Sequence, residues 1–198
     1  MHPPDYRATR ARTGKTFLAY VAGLVLILVL TMVNTVYPQE RVLEHQVKAA
    51  FLYKFGNYID WPEGTFESED DPLTIGVIGA DDLAEGLREI VRDKTIKGRP
   101  VVVRTLESTD SLQTTHILFI GRATRSYLNS VIASTRGKPI VTVTETEDPL
   151  AQGGIINFII DNDKVRFDIE LAAANTSNIK ISARLLGVAR KVITATSS

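Results

Sequence analysis

The stretch GGIINFIIDNDKVRFDIEL, Gly153 to Leu171, reads as two strands folded about Asn162-Asp163. An Asn-Asp pair tolerates the positive φ that a two-residue hairpin loop demands. That loop length fixes the register: Ile160 opposite Val165, Phe158 opposite Phe167, Ile156 opposite Ile169. All six are apolar and share one face, and a slip of one residue would mix the faces. The other face then holds Ile155, Asn157, Ile159, Arg166, Asp168 and Glu170. A row of charges set among isoleucines has three readings: an active site, the solvated side of an outer hairpin, or a surface for another protein. Arg166 and Asp168 lie two apart on one strand, close enough to interact, and an exposed pair of that kind contributes about 0–1 kcal/mol.

Upstream of the hairpin, strand-like and helix-like segments alternate. LTIGVIG (Leu73 to Gly79), PVVVRTL (Pro100 to Leu106), HILFIG (His116 to Gly121) and PIVTVTE (Pro139 to Glu145) read as strands. Between them lie two amphipathic helices, Asp81 to Asp93 with Asp81 as N-cap, and Thr124 to Thr135. Strands that are nearly all apolar and alternate with helices predict an α/β fold, a largely parallel sheet flanked by helices, with the antiparallel hairpin at its C-terminal end. An N-terminal helix is expected over Glu40 to Tyr58, its apolar face formed by Leu43, Val47, Ala50, Phe51 and Phe55. The acidic stretch EGTFESEDDP reads as a solvated loop after it. A closing helix is expected over about Ser182 to Val192.

Arg7, Arg10, Arg12 and Lys15 precede an uninterrupted apolar run, Phe17 to Val33. A charged segment followed by such a run is an export signal, either cleaved or kept as an N-terminal membrane anchor. Both readings export the rest of the chain. The division is therefore 1–37 signal peptide or anchor and 38–198 a single α/β domain. Lys+Arg and Asp+Glu both total 23, so no basic excess points to nucleic acid. With four basic residues and one acid before position 38, the exported part is mildly acidic. There is no cysteine, which excludes disulfides and thiol nucleophiles.

No catalytic set stands out. His2, His45 and His116 are scattered, no metal-ligand spacing is present, and neither a nucleophile elbow nor a phosphate-binding loop occurs. Neither catalytic residues nor a cofactor is expected. In open parallel sheets ligands lie beyond the carboxyl ends of the strands. Here Gly79 to Asp82, Gly121 to Arg125 and Glu145 to Asp148 would line that edge. Arg122 and Arg125, at a helix N-terminus, could attract an anion there, or simply be solvated loop arginines. A periplasmic small-molecule sensor or carrier is the alternative this leaves open.

The ordered set AAFLYKFGNYIDWP, LTIGVIG, IKGRPVVV, HILFIG, GGIINFIIDNDKVRFDIELAAA and IKISARLLGVARKV resembles the YfiR family over about Val42 to Val192. The resemblance implies an exported regulatory protein, often a homodimer, that binds the periplasmic part of a membrane diguanylate cyclase and restrains cyclic-di-GMP synthesis and biofilm formation. It implies docking through the second hairpin strand and the segment after it, where Asp168 and Ala174 match, beside Arg166 and Glu170. It also implies a small-ligand pocket near the closing helix, where Lys180 matches a basic position. Some members carry disulfides; this chain departs from them in having no cysteine.

Overall fold

The computed structural model describes residues 37–146 and 153–194, excepting the side chains of residues 37–43, Asp110, Ser111 and Arg125. The expected export segment, with its apolar run 17–33, lies outside the described residues. By internal contacts the chain divides into two units, 1–42 and 43–198, and the second holds the sheet and its helices.

Helix α1 (Tyr37–Phe55) leads through a short 3-10 turn to strand β1 (Ile59–Asp60). Then come β2 (Leu73–Ile78), α2 (Asp81–Val91), β3 (Thr95–Ile96), β4 (Arg99–Thr105), β5 (Ile117–Ile120), α3 (Leu128–Thr135) and β6 (Val141–Thr144). The hairpin strands are β7 (Ile156–Asp161) and β8 (Lys164–Glu170). After them follow α4 (Leu171–Thr176), β9 (Lys180–Ile181), α5 (Ala183–Val188) and β10 (Lys191–Ile193). Eight strands form one sheet in the order β10-β8-β7-β6-β5-β2-β4-β3, while β1 and β9 make a separate ribbon. From β4 to β7 every neighbouring pair is parallel. The protein is therefore α/β, with a mostly parallel sheet and the antiparallel β7–β8 hairpin.

The hairpin register is the one the sequence predicts, Ile156↔Ile169, Phe158↔Phe167 and Ile160↔Val165. Asn162 and Asp163 carry φ of 49° and 59°, the left-handed conformation the loop requires. Phe158 and Phe167 meet α1 in an aromatic cluster: Phe55 stacks on Phe158 at 5.7 Å and meets Phe167 edge-on at 5.0 Å. This cluster joins Ile75, Val77, Phe119 and Val143 of the sheet and Leu83 and Leu87 of α2 in the main core. Alternate sheet residues Ile78, Leu118 and Ile120 face the other way, against Leu128, Val131 and Ile132 of α3. Both faces are covered, which is why the strands read as continuous apolar runs.

Four local expectations change. The buried face of α1 is Ala49, Leu52 and Phe55, with Lys48, whereas Val47 is exposed. Asp81 is the first helical residue rather than the cap; Ala80 holds the N-cap position, and Asp81 and Asp82 complement the dipole of the first turn. Ile155 lies in the main core beside Ile156, so the hairpin's polar face loses one of its isoleucines. The closing helix stops at Val188, and Lys191–Ile193 instead adds to β8 as a parallel strand. β-Branched Val192 and Ile193 and the buried partner at Asp168 favour the strand.

Candidate functional site

The chain crosses the sheet twice from β2. β4 lies on one side of it and β5 on the other, with α2 and α3 on opposite faces. The gap between the carboxyl ends of β2 and β5 is where such a sheet would take a ligand. In this protein the gap is filled. A Cβ on Gly121 would collide with Gly79 O, and one on Gly79 would lie 2.7 Å from Thr124 Cγ2. Thr124 Oγ1 donates to Gly121 O at 2.6 Å and seals the turn. The two glycines thus bring backbone against backbone.

The neighbouring edge, beyond β5 and β6, carries charge. Lys48 of α1 is 1% exposed. Its ammonium donates to Glu44 Oε1 one helical turn away and to Glu145 Oε2 at the end of β6. Arg122 reaches the same pair, with Nη2 3.2 Å from Glu44 Oε1 and Nε 3.8 Å from Glu145 Oε2. Its backbone N–H also donates to Glu145 Oε1 at 3.0 Å. The anion expected at this turn is thus supplied from within, as the carboxylate of Glu145. Burial pushes the Glu44 carboxyl up, but the hydrogen bond and charge of Lys48, with the charge of Arg122, outweigh it and hold Glu44 below the ordinary range. The side chain of Arg125 lies outside the described residues, as do Glu147 and Asp148 of the expected strand-end edge.

The second region is the hairpin's polar row, and the structure separates its members. Arg166 is exposed, opposite Ile159. Asp168 and Glu170 are buried, 5% and 7% exposed. Asp168 accepts from Arg190 Nε at 2.8 Å and from Arg190 Nη2. Glu170 caps α4, accepting from Ala172 N at 3.1 Å. Ala174, within that helix, is fully buried. Asn157 is spent on the chain following β6: its Oδ1 accepts from Thr144 Oγ1 at 3.0 Å, and its Nδ2 donates to Thr146 O at 3.0 Å. Of the charged members of the row, Arg166 is the exposed one, with no ion-pair partner among the described residues. Lys180, exposed on β9, sits opposite Asp60, and Asp60 is paired with Lys97.

Two organising residues were not singled out in the sequence. Lys48 follows Glu44 at i+4, the spacing of an ordinary surface pair, and nothing local shows that the sheet covers it. Arg190 sits within GVARKV, a pattern with helical spacing. Among the described residues there is no group of three or more His, Asp or Glu that could hold a metal ion. No described helix is long and apolar enough to cross a membrane.

The fold defines an α/β protein with a mostly parallel sheet and an antiparallel hairpin, and its buried charges are paired with one another. Residues 45–190 match the model of the YfiR/HmsC-like family, and the chain belongs to that family. The family is regulatory, non-catalytic and periplasmic, and is associated with cyclic-di-GMP signalling. No curated protein matches the sequence. Among solved structures the chain is similar to the ABC domain from Streptococcus pneumonia in complex with L-Trp, at 15% identity and a TM-score of 0.46. That match covers 61% of this chain and 55% of that one. It is also similar to a conserved domain protein from Vibrio cholerae O1 biovar eltor, at 14% identity and a TM-score of 0.41, over 60% of this chain and 54% of that one. The chain thus spans little more than half the length of either structure.

Proposed function

We propose that the protein is an exported inhibitor of a membrane diguanylate cyclase, or of a related membrane sensor, and restrains cyclic-di-GMP synthesis and biofilm formation. The observation that carries this reading is the family match over residues 45–190. An inhibitor of this kind needs no reaction centre. It must bind the inactive state of its partner more tightly than the active one.

Docking is assigned to β8 and the segment after it. Arg166 supplies the exposed charge there, and the Asp168–Arg190 pair with Glu170 and Ala174 holds the surface in shape from beneath. Homodimer formation would present that surface twice. Lys180 is left as the polar contact for a small ligand that releases the partner. An uncleaved segment 17–33 would keep inhibitor and partner on one membrane, and tethering raises effective concentration.

The test is a deletion of the gene, complemented with wild type or with Arg166→Glu. Deletion should raise cyclic-di-GMP severalfold, wild type should restore it, and Arg166→Glu should not. Unchanged cyclic-di-GMP in the deletion strain rejects this function.

A further inference from the structure

β4 is the next-to-last strand of the large sheet, yet for most of its length it is the edge. β3 pairs with it only at Ile96↔Arg99 and Thr95↔Pro100. From Val101 to Thr105 its inner side pairs with β2, and among the described residues no strand pairs with its outer side. Leu106 N donates inward to Val77 O at 2.8 Å. Backbone groups alternate sides along a strand, so Val102 and Arg104 also turn inward, while Val101, Val103 and Thr105 turn N–H and C=O outward. A free edge of this kind is a template for one more strand.

Beside this edge runs a groove of about 590 Å³ between the end of α2 and β4. Val91, Val101 and Val103 form its floor, and Arg88, Arg92 and Lys94 stand at its rim, against one acid, Asp93. Val101 and Val103 pack on the main core but are only half-buried, so the apolar sheet surface continues uncovered into the groove. Arg88 is held by Glu85 at 3.1 Å and Thr105 Oγ1 at 2.7 Å. Lys94 lies 5.4 Å from the Tyr53 ring. Arg92 is exposed and has no ion-pair partner among the described residues.

The geometry points to strand addition at this edge. An extended acidic segment of a partner protein, carrying one or two apolar side chains, pairs its backbone with Val101, Val103 and Thr105. Its apolar side chains rest on the valine floor and its carboxylates meet Arg92 and Lys94. The main-chain bonds supply affinity and the cationic rim selects the acidic segment. This surface is at the opposite sheet edge from β8 and β10, and does not depend on the docking assigned there.

The test uses a short capped peptide of Glu and Val residues, with a Lys and Val peptide as control, added to the full chain. Amide signals of Val101, Val103 and Thr105 should shift and exchange severalfold more slowly with the acidic peptide alone. Arg92→Glu with Lys94→Glu should weaken binding at least tenfold at unchanged Tm. Val103→Pro, which removes an outward N–H and no sheet hydrogen bond, should abolish it. The inference is overturned if the acidic peptide does not bind at millimolar concentration, or perturbs other residues instead. It is equally overturned if the Lys peptide binds as well, or if charge reversal changes affinity less than twofold. Protection of the same amides by concentration-dependent self-association, without peptide, would assign the edge to a second copy and reject the peptide occupant.

Discussion

Asp168 on β8 and Arg190, just ahead of β10, are joined by two parallel hydrogen bonds, Nε to Oδ1 at 2.8 Å and Nη2 to Oδ2. Arg190 N also donates to Phe167 O at 2.9 Å, so backbone and side chain together fix where β10 starts. The Asp168 side chain is 7% exposed and that of Arg190 43%, which makes the pair asymmetric. Removing Arg190 leaves a buried carboxylate without its partner, whereas removing Asp168 leaves an arginine that reaches water.

Arg190→Ala should therefore destabilise the protein by about 1–3 kcal/mol, the cost of a buried polar group left unsatisfied. Asp168→Asn should cost less, because its amide oxygen still accepts. Urea unfolding of the two variants measures this, and hydrogen exchange at β10 should quicken most in Arg190→Ala. Equal losses would mean that the burial asymmetry does not govern the pair.

The same asymmetry separates scaffold from surface on β8. Asp168→Lys places a cation in a buried site beside Arg190, so it should lower Tm and abolish inhibition together. Arg166→Glu changes an exposed side chain and should keep Tm within about 1–2 °C, since surface substitutions stay within about 0.5 kcal/mol. Its effect is expected on cyclic-di-GMP alone. Paired Tm and cyclic-di-GMP measurements on both variants distinguish a lost surface from a lost fold.

Lys48, itself buried, links α1 to the end of β6 by charge. Lys48→Met should destabilise by about 3 kcal/mol or somewhat more, the usual cost of breaking a buried pair from one side. The loss should be smaller when Glu44→Gln is added, because one of the two carboxylates then left to Arg122 alone is neutral. The pH sign follows from Glu44, whose folded pKa lies below its ordinary value of 4.5. A depressed carboxylate contributes stability that is fully present above the unfolded value and lost as pH falls through the folded one. Wild type should thus lose more stability than Glu44→Gln between about pH 5 and the folded value, read by urea midpoints across that range.

How far the sequence reaches can be judged from two neighbouring stretches. The β7–β8 register was legible because a two-residue turn and a period-two apolar pattern agree, and only one pairing satisfies both. The span after it was not. GVARKV has helical spacing, and what makes its end a strand is Asp168, which lies 22 residues earlier in the chain. The polar row was legible as a row but not as a surface. Alternation says which residues share a face, not which of them another segment covers. Lys48 fails for the same reason, since its sheet partner Glu145 is 97 residues away. At the strand ends, two glycines marked the turns, but their close approach is a fact of packing that no local pattern encodes.

The acidic loop after β1 offers an optical reading of pH. It is largely exposed, as expected of a solvated loop, and it is also clamped. Arg99 lies 3.9 Å over the Phe66 ring and donates to the carbonyls of Ser68, Glu69 and Asp71. Phe66 stacks on His116 at 4.4 Å, and Trp61 meets the His116 ring edge-on at 6.3 Å. Thr74 N donates to His116 Nδ1 at 3.0 Å, so that nitrogen must be unprotonated. Burial lowers the His116 pKa below 6.5; a hydrogen bond with the Thr65 backbone raises it, the Arg99 charge lowers it and Asp71 raises it. Because the folded value is depressed, neutral His116 contributes stability fully present above pH 6.5 and lost as pH falls through the folded value. Protonation removes the acceptor for Thr74 N and places a cation beside the single tryptophan of the chain. Trp61 emission should therefore be level above pH 6.5 and change at a midpoint below it. In His116→Gln that transition should vanish while the urea midpoint becomes less dependent on pH. A fluorescence midpoint at or above 6.5, or one that survives in His116→Gln, would show that another group reports to Trp61.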